Sequence, residues 1–302
     1  MLDGCRGMRL FIFYVLATVI LSGRLFAAEP YQGAIFDAHS HLSKRSNPKQ
    51  AHSHIIEQGF GKSALFVEIN RIDEVLNFSQ DKFLVFVDPF KRKKVKVGKG
   101  KKEVRYEFSE KRLSQIKSAL EAGKVAGFGE IYFRLGYAPF AEDGIQTPVG
   151  GSGAKALFKM ARTYKVPVQI HLDADYISEL EQVLRDNPDV TIILSHCGYM
   201  KPSTLGALMD GYPNLHAETS LVFNSMIPRF ANLPLKDGVL QPEWENLLIR
   251  HADRILLGTD YSDFRAEQVP KLLDYYRKVL GFLPRDKANQ IAHENFERLF
   301  VK

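Results

Sequence analysis

The sequence predicts a single α/β domain of the (β/α)8 TIM-barrel type, and two observations carry the prediction. Short apolar runs alternate with longer amphipathic segments eight times over roughly 270 residues, the size of such a barrel. The runs are also continuously apolar, as parallel strands covered on both faces must be.

AIFDAH (34–39) is the first run, and it leads into His39 and His41. Side chains i and i+2 of a strand share a face, so both imidazoles address one point. ALFVEI (64–69) and FLVFVDP (83–89) follow as second and third runs. After the third comes KRKKVKVGKGKK, Lys91 to Lys102, continuing into EVRYEF with Gly98 and Gly100 at the centre. Alternation around central glycines predicts a β-hairpin insertion there. SEKRLSQIKSALEAG reads as a helix with Ser109 as N-cap and Gly123 as its C-terminal stop. VAGFGEI (125–131) is the fourth strand and carries Glu130 near its end. GAKALFKMARTYK then leads to the fifth strand, PVQIHLD (167–173), with His171, and YISELEQVLRDNP leads to the sixth, TIILSH (191–196), with His196. PSTLGALMDGYP precedes the seventh, NLHAETS (214–220), and QPEWENLLIRH precedes the eighth, RILLGTD (254–260), which ends on Asp260. VPKLLDYYRKVLG and PRDKANQIAHENFERLF close the chain, and no repeat or interdomain linker interrupts residues 29–302.

At 302 residues, 45% hydrophobic and 25% charged, the chain has the composition of a globular protein rather than a disordered one. Residues 1–28 differ from the rest. Arg6 and Arg9 precede the apolar stretch LFIFYVLATVIL, and SGRLFAAEP follows. That order predicts a secretory signal peptide and hence a periplasmic or secreted enzyme, with an uncleaved membrane anchor as the alternative. Met8 is a second plausible start. Of the two cysteines, Cys5 falls in the leader, so the mature chain keeps Cys197 alone and forms no internal disulfide. Stability then rests on the core and on metal.

The net charge of +6 falls to +4 without the leader. Lys91 to Lys102 alone holds eight positive charges, which leaves the remainder at −4. Basicity is therefore local, and a nucleic-acid-binding surface is not indicated. The tract reads either as a solvated hairpin or as a lid that attracts an anionic small-molecule substrate or a membrane surface.

In a barrel of this type the chemistry sits at the C-terminal ends of the strands. His39, His41, Glu130, His171, His196 and Asp260 all lie there. Any one of them has an ordinary structural use: a buried histidine bonded to a carbonyl, a helix-capping aspartate, a glutamate paired with arginine. Six metal-competent groups from five strands point instead to a divalent metal site of one or two ions. Imidazoles with carboxylates suit zinc best, and manganese or iron as alternatives. Arg134, and Arg229 in the loop after the seventh strand, are candidate clamps for a carboxylate or phosphate. Tyr132, Tyr199 and Tyr261 are candidates to line the pocket.

FDAHSHL, GFGEIYF, PVQIHLD, IILSHCG and LLGTDYS, with the closing ENFERLF, resemble the amidohydrolase superfamily of metal-dependent hydrolases. The similarity is greatest to its amidohydrolase-related branch, with some to TatD-like deoxyribonucleases, and it spans residues 33–302. The resemblance implies that His39, His41 and Asp260 hold one metal and that Glu130 bridges to a second, completed by His171 and His196. TatD-like enzymes tend to carry a glutamate two residues before the last aspartate. Gly258 stands there in this chain, and Cys197-Gly198 follow the sixth-strand histidine, which weakens the nuclease assignment. The expected function is an exported hydrolase using metal-activated water to cleave a small amide, ester, lactone or phosphoester. Asp260 would pass the proton, and His196, where not a ligand, would orient the water or bond the oxyanion. The alternatives are a decarboxylase or hydratase on the same site, a TatD-like nuclease, and a non-catalytic metal-containing barrel that binds an anionic polymer or membrane.

Overall fold

The computed structural model of the chain describes residues 28–96, 102–135, 145–226 and 232–301. The leader before Ala28, the glycines Gly98 and Gly100 and the clamp candidate Arg229 lie outside these residues. In chain order the strands are β1 (Asp37–His41), β2 (Ser63–Val67), β3 (Phe83–Val87), β4 (Phe90–Lys96), β5 (Lys102–Phe108), β6 (Gly127–Leu135), β7 (Ile145–Gln146), β8 (Val168–Leu172), β9 (Ile192–Leu194), β10 (Leu215–Glu218), β11 (Leu235–Lys236), β12 (Val239–Leu240) and β13 (Ile255–Leu256).

Eight of these pair in parallel in the order β1-β2-β3-β6-β8-β9-β10-β13. Residues just past β13 return to β1: the Ala38 N–H donates to the Leu257 carbonyl and the His41 N–H to the Tyr261 carbonyl, both at 2.8 Å. Ser40 and Tyr261 form a parallel bridge at the same seam. The result is a nearly closed TIM barrel, as the alternation of apolar runs predicts. Helices Pro48–Ile55, Ile72–Ser79, Glu110–Glu121, Ser152–Tyr164, Ile177–Asp186, Pro202–Gly211, Pro242–Arg250 and Val269–Gly281 follow the eight barrel strands in turn.

The first strand begins three residues later than its apolar run. Below it, the Phe36 N–H donates to the Ala292 carbonyl and the Ile35 carbonyl accepts from Gly61 N–H, both at 2.8 Å. These bonds tie Ile35 and Phe36 to the floor of the barrel instead of to a neighbouring strand. The floor is aromatic: Phe36 meets Phe296 edge-on at 5.3 Å, and Phe86 meets Phe300 at 5.0 Å. Ala38, Ala64, Phe66, Ile193 and Leu256 from the strands join these rings in one buried cluster, so the closing helix Asn295–Phe300 plugs the end opposite the strand C-termini.

β4 and β5 pair antiparallel from Phe90↔Phe108 to Lys96↔Lys102. β5 also pairs with β7, and β7 with β6, so the ladder is sewn to the barrel edge beyond the fourth barrel strand. Among the described residues no helix is long and apolar enough to cross a membrane.

Candidate metal centre

The period of β1 puts His39 and His41 on one face, and a buried carboxylate fixes that face. Asp37 accepts hydrogen bonds from His39 N–H (3.1 Å), Thr259 N–H (2.8 Å), Thr259 Oγ1 (3.0 Å), Ser63 Oγ (3.1 Å) and Ser40 Oγ. It thereby pins β1 to β2 and to the loop that carries Asp260. Burial pushes the Asp37 pKa up to about 6 against the pull of these donors.

The ligand atoms converge. His39 Nε2 and His41 Nε2 lie 3.1 Å apart, with Asp260 Oδ1 at 3.5 and 3.2 Å from them and Glu130 Oε2 at 3.5 Å from each. The other Glu130 oxygen, Oε1, lies 2.8 Å from His171 Nδ1 and 3.3 Å from His196 Nε2. Glu130 thus stands between two clusters, His39–His41–Asp260 and Glu130–His171–His196, whose ligand atoms lie within 4.8 Å of one another in each. Lone-pair-bearing nitrogens and carboxylate oxygens packed around common points are a donor set that fits divalent cations.

Backbone conformation brings two of these groups inward. β9 is three residues long, and His196, Cys197, Gly198 and Tyr199 all take left-handed φ values of +55°, +51°, +58° and +55°. Asp260 does so as well, at +47°. For residues other than glycine this costs of order 1 kcal/mol each and persists only where the surroundings enforce it. Gly198 suits this turn in two ways, since a Cβ would add left-handed strain and would come within 2.9 Å of Leu194 Cδ2 and 3.1 Å of Met200 Cε.

Charge is arranged around burial. Burial opposes charge on His39, but the Glu130 and Glu218 carboxylates outweigh it and hold its pKa well above the ordinary histidine value. His171 is likewise opposed by burial and lifted by Glu130, to about 9. Burial raises and His171 lowers the Glu130 pKa, with the net well below the carboxylate range. Asp260 is held low against burial by the Arg265 guanidinium, which bonds its Oδ2. His196 is pushed down, chiefly by burial. Protons on such histidines are what a divalent cation displaces when it binds.

Glu218 and Arg265 were not among the residues marked by sequence. Glu218 ends β10, fully buried, with Oε2 2.8 Å from His39 Nδ1. Its position at a strand end was the available signal, since the seventh strand alone among the last five had contributed no candidate. Nothing in the sequence marks Arg265, which lies in the short helix Asp263–Gln268 after the eighth strand.

A cavity of about 500 Å³ opens beside the centre, lined by His41, Glu130, Tyr132, Asp88 and Arg112 among others. Tyr132 stacks on His171, with ring centroids 5.4 Å apart, and Tyr199 stacks on His196 at the same distance. Tyr261 is buried and bonds His54 Nδ1 and Asp263 rather than facing the cavity. Arg134 donates from Nε to both Glu179 oxygens, at 3.0 and 2.9 Å, so an acid of the helix Ile177–Asp186 already holds it. Arg112 is the arginine in the cavity wall, bonded to Glu68 and to the Asp88 carbonyl.

The family model described as amidohydrolase matches residues 105–301. A search among curated proteins finds no match. Among solved structures, the chain is similar to a TatD homolog from Escherichia coli K12 at 16% identity, with TM-score 0.58 and coverage of 89% of this chain and 98% of that one. It is similar to an amidohydrolase from Burkholderia multivorans with bound zinc at 11% identity and TM-score 0.56, over 88% and 99% of the two chains. A probable 2-pyrone-4,6-dicarboxylic acid hydrolase from Acinetobacter baumannii with citric acid bound shares 12% identity and TM-score 0.55, over 89% and 100%. Likeness at these identities is likeness of fold.

Proposed function

We propose that this chain, which belongs to the amidohydrolase family, is a zinc-dependent hydrolase of a small amide, ester, lactone or phosphoester. The observation that carries the reading is the convergence of His39 Nε2, His41 Nε2, Asp260 Oδ1 and both Glu130 oxygens at the mouth of the barrel. Zinc bound in a protein of the same fold supports the choice of metal. When bound, a divalent cation polarises a carbonyl or phosphoryl oxygen and lowers the pKa of water from 15.7 to about 7, a change of order 10 kcal/mol.

The chain's own groups handle the proton. Asp260 keeps Oδ1 toward the two histidines while Arg265 holds Oδ2, so the carboxylate stays ionised and ready to take a proton from water and return it to the leaving group. A positioned base of this kind is worth roughly 10² to 10⁴ in rate. His196 bonds Ser220 through Nδ1 at 2.8 Å, which leaves Nε2 facing Glu130 and the cavity side of the centre. The size of the cavity suits a small molecule. The Lys91–Lys102 tract supports an anionic substrate, and the leader-like first 28 residues support export. The test is metal analysis of the purified chain, followed by chromogenic esters, lactones and phosphodiesters with and without chelator. Tightly held zinc and chelator-sensitive turnover are expected, and a metal-free chain with no activity on any of them overturns the reading.

A further inference from the structure

We propose that Glu218 is a positioning residue for two of the metal ligands, fixing His39 and His196 with Nδ1 turned away and Nε2 turned toward the centre; this rests on the metal reading above. The hydrogen-bond directions leave little freedom. As a carboxylate Glu218 only accepts. Ser220 N–H bonds its Oε1, while Ser220 Oγ at 2.8 Å, His39 Nδ1 at 2.8 Å and His196 N–H at 3.4 Å all face its Oε2. Ser220 Oγ therefore donates its proton to Glu218 and must accept from His196 Nδ1, 2.8 Å away. His39 Nδ1 must donate as well. Both rings then carry their proton on Nδ1, and each Nε2 presents its lone pair to the Glu130 side of the centre.

Two further observations support the assignment. The Gln169 amide lies 3.1 Å from His39 Nδ1, and its oxygen, placed the other way round, has no partner. As placed, the NH2 and a protonated Nδ1 stand donor to donor; turning the amide over brings its oxygen beside the Nδ1–H, which Glu218 at 2.8 Å and Gln169 at 3.1 Å then share as acceptors. Gly258 also makes room for the carboxylate: a Cβ there would stand 2.3 Å from Glu218 Oε1 and 2.8 Å from His39 Cβ. A carboxylate behind a ligating imidazole orients the ring and raises its basicity, and its loss typically lowers metal affinity 10- to 100-fold.

The test is the zinc affinity of the full chain, stripped of metal and titrated against a chromophoric chelator, for wild type and Glu218→Gln. An amide has an acceptor on one side only, so in either orientation its NH2 faces a donor, Ser220 N–H or His39 Nδ1–H. A 10- to 100-fold weaker zinc affinity with unchanged far-UV circular dichroism is expected. A purely structural role would lower thermal stability and leave affinity alone. Affinity within twofold of wild type overturns the inference while leaving the metal reading standing, whereas a wild type that competes for no zinc overturns both. Should Glu218→Gln fail to fold, Ser220→Ala carries the test, since it removes the hydroxyl between Glu218 and His196; several-fold weaker binding supports the inference and unchanged binding overturns it.

Discussion

Glu130 turns one oxygen to His39 and His41 and the other to His171 and His196. A shared carboxylate in that position offsets the repulsion of two cations some 3.5–4 Å apart. Glu130→Gln is therefore expected to lower bound zinc from about two ions per chain toward one, measured by mass spectrometry on the purified variant. An unchanged single ion in both proteins would make Glu130 a substrate or positioning group. His39→Ala with His41→Ala should remove the ion between β1 and Asp260 and leave a folded barrel, because the two rings meet the buried cluster through Phe66, at 4.9 and 5.1 Å, while the Phe36–Phe296 and Phe86–Phe300 contacts of the floor stay in place. Retention of stoichiometric zinc would sink the metal reading. The convergence of these six side chains was legible because each lies at or near the end of an apolar run, where the barrel puts its chemistry. Glu218 was not, because its role depends on a neighbour, Gly258, whose meaning is only the space it leaves. The partner of Arg134 was hidden for a similar reason: sequence shows the cation after Glu130 but not Glu179, which bonds it.

The strands were readable from continuous apolarity, which survives even where a strand such as Ile192–Leu194 shrinks to three residues. The first two helices, Pro48–Ile55 and Ile72–Ser79, were not, since eight residues give barely two turns of period. Local chemistry starts the first of them: Asn47 Oδ1 accepts from Gln50 N–H at 2.9 Å, and Gln50 Oε1 accepts from Asn47 N–H at 3.0 Å. Asn47→Ala is expected to cost about 1 kcal/mol, read as a lower urea midpoint at unchanged slope. The β4–β5 ladder makes a different demand. It carries most of the Lys91–Lys102 charge on a barrel whose remaining net charge is negative. Exposed charges act over about 8–10 Å at physiological ionic strength, so their service to an anionic substrate would be mainly in association. Neutralising Lys93, Lys94, Lys96 and Lys99 should lower kcat/KM for such a substrate at low salt, with the loss fading as salt rises and kcat little changed. A loss independent of salt would mean direct contact with bound substrate.

The barrel as a whole stores its polar groups inside, and their protonation enters the stability of the entire fold. His216 lies on β10 two residues before Glu218, so the two share a face of the strand, and it is 5% exposed. Burial first, then the charge of Arg298, holds its pKa down at about 4, against a smaller opposing pull from the Asn214 backbone. The unfolded chain, with an ordinary histidine pKa of 6.5, binds a proton that the folded barrel refuses between those two values. Folding stability contributed at this position is therefore complete above pH 6.5, declines as pH falls toward 4, and stops changing below that. At 1.36 kcal/mol per pH unit the decline amounts to about 3 kcal/mol. His39 and His171, with raised values, pull stability the other way in the metal-free chain, so the prediction is made on a difference. Whatever His216→Gln costs at pH 7, its unfolding free energy should gain about 3 kcal/mol relative to wild type by pH 4, measured by urea denaturation at half-unit steps. Parallel curves for the two proteins would show that His216 takes up its proton in the folded barrel as readily as in the unfolded chain, and would refute the burial argument for that residue.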